Sequence, residues 1–379
     1  MKSYNLSAIG IEVIFDLGLG QISKLVVTRD GRELSPFHTV PWRDDPNQEF
    51  PEGTDPHLER MSVDFFCAPF AKSDIENTPL HGWPANAPWT LLEEEDFEGS
   101  KRASFLLSKT VMGGQVIKTL TVRDRHPFLY QSHRFVGSQG SIPVAYHPMV
   151  SLPSGGVVSV SPKLRAETMA ISLEPDPERG KSALAYPSTS EDLHAFPTSD
   201  GGQVDLLRYP IADINEDLVM LIENPANPLG WTAVVRPNER DIAIALKQPA
   251  VLPATIFWYS NGGRFYAPWN GRHRGVLGVE EACTYFAYGH SSSISDNHLS
   301  RNGIKTAISL EGDPEIRCVI GATTLFGHET EAERIDIVDG QLRVTMRGGH
   351  NFMLPYDADF LAKSAKQGAG SGSARAIAD

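Results

Sequence analysis

The sequence predicts an all-β protein built as one large antiparallel β-sandwich. Three observations predict it. Apolar and polar residues alternate in roughly twenty short runs of strand length. Turns separate those runs: the 379 residues include 33 glycines and 27 prolines, a combined share above the usual roughly 12%. No segment keeps its apolar residues in helical register over three turns. A small sandwich needs about seven to nine strands, so the chain holds two such domains or two oversized packed sheets. No linker or repeat interrupts residues 60–360, which favours a single domain over 1–365. Residues 366–379 are small and polar and read as a disordered tail.

Residues 9–15 and 22–28 read as strands, with a glycine-containing turn at 16–21. Arg29-Asp30-Gly31-Arg32 reads as the next hairpin turn. Residues 43–60 carry Pro46, Pro51 and Pro56 and read as a surface loop. An apolar run follows at 61–66. Residues 78–89, TPLHGWPANAPW, hold too much proline and glycine for helix or strand, so they form a rigid loop around His81-Gly82. The acidic stretch 93–98 reads as a solvated edge. Strands at 103–110, 115–123 and 128–136, joined by short turns, form a meander. His147 stands before Pro148 at the end of an apolar run, a position that favours extended backbone.

Strand rhythm continues at 157–160 and 164–168, and a long loop takes up 172–204. Further strands are expected at 204–209, 218–223, 229–236, 241–246 and 255–259. Asn261-Gly262-Gly263 then turns the chain into a polar, aromatic loop at 264–274. An apolar, flexible lead at 275–279 runs into Glu280 and Glu281. Residues 293–299 are a polar connection, and late strands are expected at 305–310, 315–320, 334–338 and 341–346.

The formal net charge is −13, and the basic residues are scattered. That argues against a nucleic-acid footprint or an anionic membrane surface as partner. Cys67, Cys283 and Cys318 are widely spaced, with neither a metal-type pair nor a disulfide framework. A reducing, cytoplasmic setting is therefore expected. Residues 1–20 show no secretory pattern, and no segment reads as a membrane span. No phosphate-cradling glycine loop and no G-x-S-x-G elbow is present.

The candidate chemistry rests on His81, His147 and Glu280, which sit in loops or at strand ends. Adjacent residues on a strand face opposite ways, so one of Glu280 and Glu281 enters any given pocket; Glu280 is the expected one. Two histidines and a carboxylate can hold a metal, act as an acid–base set, or be unrelated structural residues. Arg264 and Arg274 bracket the loop before Glu280 and suit a polar substrate, while His273 between two arginines reads as a solvated loop residue. Trp83 and Trp269 lie in polar loops, where an aromatic face can meet a sugar ring.

These residues, taken in order, resemble the aldose 1-epimerase, or galactose mutarotase-like, superfamily. The resemblance spans most of 10–350 and is carried by His81-Gly82, His147-Pro148, Gly278-Val279-Glu280, and Leu252-Pro253 with Ile256-Phe257-Trp258 and Gly262-Gly263. It implies a large antiparallel supersandwich and interconversion of sugar anomers without metal or organic cofactor. Glu280 would be the general base on the anomeric hydroxyl, His147 the acid on the ring oxygen, and His81 would orient the sugar. Such a scheme expects an ionised Glu280 and a protonated His147 at pH 7. Lys72 stands near where the family commonly has an arginine and cannot reproduce its planar contact. Asp213 is the counterpart of a substrate carboxylate, and Glu281 stands where proline is common. A sugar is the implied partner of a monomer or weak homodimer. The alternatives are a non-catalytic carbohydrate-binding or regulatory protein on the same fold, and a metal-dependent enzyme.

Overall fold

The computed structural model describes residues 2–327 and 329–362. The expected tail at 366–379 lies outside the described residues. Two antiparallel sheets dominate the fold, one of nine strands and one of eight. The expected meander forms one end of the nine-stranded sheet: Trp89–Phe97, Ser100–Leu107, Gln115–Arg123 and Phe128–Val136 are neighbours in chain order. Glu315–Thr324, Asp241–Lys247 and Gly230–Arg236 continue it. Acidic Trp89–Phe97 is the edge strand and mostly exposed. Charges on an edge discourage pairing with another chain.

The eight-stranded sheet runs through Lys163–Thr168, Asn215–Glu223, Ala254–Asn261, Val276–Cys283, Val144–Tyr146 and Phe66–Cys67. Its central strands are buried on both faces, so they read as continuous apolar runs rather than alternating ones.

Three buried apolar clusters explain this. One fills the space between the large sheets and includes Phe15, Phe105, Tyr146, Phe257 and Ile320. A second covers the outer face of the eight-stranded sheet, with Phe65, Met149, Ile256, Trp258 and Trp269. The third lies on the outer face of the nine-stranded sheet, where Ile335, Val344 and Leu354 pack on Trp231 and Ile244. A three-stranded sheet of Ala332–Val338, Gln341–Met346 and Asn351–Pro355 supplies that cover.

Several expectations are corrected. Residues 275–279 are not a flexible lead, because Val276–Cys283 is a fully buried strand. Residues 305–310 give only the short Ile308–Ser309, and Asn351–Pro355 was not expected. The connection at 293–299 holds two short helices, His290–Ile294 and His298–Arg301. Residues 43–60 contain a helical turn, Pro56–Glu59, with proline at its start, where a missing N–H costs nothing. Among the described residues, no helix is long and apolar enough to cross a membrane.

Candidate functional site

The site lies in the second of these clusters, on the outer face of the eight-stranded sheet. Val276–Cys283 pairs with two short strands in one continuous register: Tyr146 opposes Glu281 and Met149 opposes Gly278. That register sets His147 opposite Glu280. Directly opposed side chains on one face of a sheet are close enough to interact, and His147 Nε2 lies 3.1 Å from Glu280 Oε1. Pro148 has no N–H to give the ladder; its carbonyl still accepts from Val279 N–H at 2.7 Å. The backbone N–H of His147 donates to Asp64 Oδ1 at 2.8 Å and to Phe65 O at 3.0 Å. Phe65 stacks on the imidazole at 4.5 Å. Gly278 leaves room for the pair, since a Cβ there would lie 3.3 Å from Glu280 Oε1 and 3.0 Å from Trp258 Cβ.

His81 arrives from the proline-rich loop with φ 65°, a left-handed conformation that non-glycine residues rarely adopt. Its N–H donates to Ala71 O at 2.9 Å, and its Nδ1 accepts the Ala71 N–H at 3.4 Å. Its ring meets His147 edge-on, with centroids 5.5 Å apart. Gly82 follows because the backbone of Ala68 passes there; a Cβ would fall 2.0 Å from Ala68 O.

His81, His147 and Glu280 line one cavity of about 630 Å³, within the usual range for a small-molecule site. Its walls include Phe65, Phe70, Trp258, Trp269, Arg179 and Arg264. The Arg264 guanidinium lies over the Trp269 ring at 4.5 Å. Its Nε is 3.2 Å from Glu174 and 3.4 Å from Glu216. Glu216 is buried and accepts from Trp258 Nε1 and from Ser260 Oγ.

Lys72, Trp83 and Asp213 lie outside this cavity. Lys72 and Asp213 are exposed, and Asp213 offers only its carbonyl, to Asn261. Trp83 stacks under Lys109 at 5.1 Å. His273 is no solvated loop residue: it is buried, stacks on Trp258 at 5.2 Å, and pairs with Ser260 Oγ at 2.7 Å.

Among the lining residues that sequence reasoning missed are His57 and Arg179. Both sit in segments that look like ordinary polar loops. The one signal for His57 was the apolar neighbour Leu58 after a helix-starting Pro56.

Electrostatics in the cavity favour neutral groups. Burial lowers His147 to about 3 and raises Glu280 well above the usual carboxylate range. The His81 ring is held well below its ordinary value by burial, then by nearby His57, His147 and Arg264. Burial therefore disfavours the charged form of each member of the pair, a direction opposite to the expected ionised glutamate and protonated histidine. The pair also leaves His147 Nδ1 and Glu280 Oε2 buried without partners, and each such atom costs about 1–3 kcal/mol. Among the described residues, no three His, Cys, Asp or Glu side chains converge to hold a metal.

The architecture matches solved structures across most of its length. A protein from Synechocystis sp. PCC 6803 superposes with a TM-score of 0.53 at 10% identity, covering 85% of this chain and 96% of that one. A Salmonella typhimurium protein named as a candidate mutarotase gives 0.52 at 12% identity, over 84% and 90%. An Escherichia coli K12 protein named as a candidate aldose 1-epimerase gives 0.53 at 13% identity, over 86% and 99%. The fold is a galactose mutarotase-like β-sandwich. At such identities the likeness concerns the fold alone. No family model and no curated protein sequence matches the chain.

Proposed function

We propose that this protein is an aldose 1-epimerase-like isomerase that interconverts sugar anomers by opening and closing the ring. The observation that carries the reading is that His81, His147 and Glu280 line one sugar-sized cavity. The pair holds one exchangeable proton between two groups, so it contains one acid and one base at all times. With the resting proton on Glu280, opening begins as the carboxyl donates to the ring oxygen. His147 takes the proton of the anomeric hydroxyl. The bond between C1 and the ring oxygen breaks, its electron pair goes to that oxygen, and a carbonyl forms at C1. Rotation about C1–C2 presents the other carbonyl face. Closure then returns both protons and gives the other anomer. These roles invert those implied by the family resemblance and follow the direction in which burial shifts the two groups.

His81 accepts at Nδ1, so its neutral ring offers Nε2–H to a sugar oxygen. Arg264 and Trp269 supply a donor and an aromatic face for the rest of the ring. The scheme uses no metal or organic cofactor. A free sugar as partner, a cytoplasmic setting, and a monomer or weak homodimer accompany this reading.

A non-catalytic sugar-binding protein is the second reading. The direct His147–Glu280 contact favours it, because no ring-sized gap separates acid from base. Anomer exchange by NMR on a panel of aldoses, wild type beside Glu280→Gln, separates the two. Exchange above the spontaneous rate that disappears in the variant supports the isomerase. Sugar affinity without exchange, retained in the variant, supports the binding protein.

A further inference from the structure

We infer that His57 is a specificity-determining residue of the cavity, its Nε2 accepting a hydrogen bond from a sugar hydroxyl next to the one that receives from His81. This rests on the sugar reading of the site. Asn86 has its amide orientation fixed by three contacts. Its Nδ2 donates to Leu80 O at 2.8 Å and to Gly82 O at 2.7 Å. Its Oδ1 must then be the acceptor, and it receives the His57 backbone N–H at 2.9 Å. Flipping the amide would set NH₂ against that N–H and lose both carbonyl contacts.

The same Oδ1 lies 3.1 Å from His57 Nδ1, so Nδ1 carries the ring proton. In a neutral imidazole the other nitrogen is then a bare acceptor. His57 is held neutral by burial, at about 4. Its ring lines the cavity and meets the His81 ring edge-on at 5.2 Å. Among the described residues, no group hydrogen-bonds to His57 Nε2. The cavity therefore presents a donor on His81 beside an acceptor on His57, and neighbouring hydroxyls of a sugar match that alternation.

The two imidazoles are also fixed to one another. Asp55 Oδ1 accepts the Leu80 N–H at 2.9 Å, and Gln21 Nε2 donates to His57 O at 3.0 Å. A site built to bond a hydroxyl rejects an analogue lacking it more strongly than an apolar wall does.

The test uses sugar titrations by calorimetry on wild type, His57→Phe and His57→Gln, with an aldose and its monodeoxy derivatives. The expected result is a loss of roughly 3- to 10-fold for one deoxy sugar in wild type. His57→Phe should then show no further loss for that sugar, while keeping the full penalty for the others. His57→Gln, whose amide oxygen can still accept, should recover part of the affinity. ¹⁵N NMR of labelled histidine should show the Nδ1–H tautomer, with the Nε2 resonance moving when sugar is added. A His57→Phe penalty equal for every deoxy sugar, or an Nε2 resonance that does not move, overturns the assignment while leaving the sugar reading intact. A wild-type chain that binds no sugar overturns both.

Discussion

Glu280 and Glu281 are adjacent carboxylates that end in different layers of the molecule. Glu280 faces the cavity beside His147. Glu281 faces the space between the sheets, where its Oε2 lies 2.6 Å from Lys247 Nζ and accepts from Thr255 Oγ1 at 2.8 Å. Lys247 lies on the opposing nine-stranded sheet, so this ion pair ties the strand carrying Glu280 to the layer behind it. The two glutamates should therefore respond oppositely to mutation. Glu280→Gln is expected to abolish anomer exchange and leave urea stability within about 1 kcal/mol, since an amide of the same shape can still donate to His147 Nε2. Glu281→Ala takes from buried Lys247 its nearer carboxylate and leaves it only Glu223, at 3.3 Å, and should cost about 3–5 kcal/mol. Paired denaturation and exchange measurements on the two variants check this division; similar profiles would contradict it.

Gly82 carries a second prediction. Its φ of 73° and the 2.0 Å approach of Ala68 O leave no space for a side chain. Gly82→Ala should destabilise the fold by about 1–3 kcal/mol and displace His81, weakening sugar affinity in the folded fraction. A variant with wild-type stability and affinity would show that the loop tolerates the shift.

These two cases show what the sequence made legible. Alternation along a strand separated Glu280 from Glu281, because side-chain direction in a strand is a local property. The pairing of His-Gly with a crowded loop was legible for the same reason. The contact between His147 and Glu280 was not, because it depends on a register between segments far apart in sequence. Nor was the direction in which burial shifts the two groups, since desolvation is set by Phe65, Trp258 and their neighbours closing over the pair. Lys72 and Asp213 looked suitable as polar residues near family motifs, yet their segments turn outward.

Arg264 is expected to contribute binding rather than chemistry. Its planar guanidinium lies over Trp269 and between two carboxylates, an arrangement that a lysine point charge cannot reproduce. Arg264→Lys should raise KM roughly 3- to 30-fold and leave kcat within about twofold. Steady-state exchange rates across a range of sugar concentrations measure both. An equal loss in kcat and kcat/KM would instead give Arg264 a part in the transition state.

The buried histidines set the pH dependence of stability. Burial lowers His38 and His57 to about 4 and His147 to about 3, from an ordinary 6.5. Between 6.5 and those values the unfolded chain binds protons that the folded chain refuses, so stability rises with pH and is lost as pH falls through that window. Asp64 acts in the opposite sense: burial raises it from 3.8 to about 6, so the folded chain holds a proton there that the unfolded chain releases, and burial shifts Glu216, Asp217 and Glu280 in the same direction. Each proton contributes about 1.4 kcal/mol per pH unit, and the lowered histidines, with buried His81, His133 and His273 among them, outnumber the raised carboxyls. Urea denaturation between pH 4.5 and 7 should therefore show stability falling steeply toward acid. His57→Phe and His147→Phe, which remove one titrating ring each, should each flatten the slope by about one proton. An unchanged slope in both variants would mean that these rings already take up protons in the folded chain. The neutral His147–Glu280 pair, on which the proposed direction of proton transfer rests, would then be untenable.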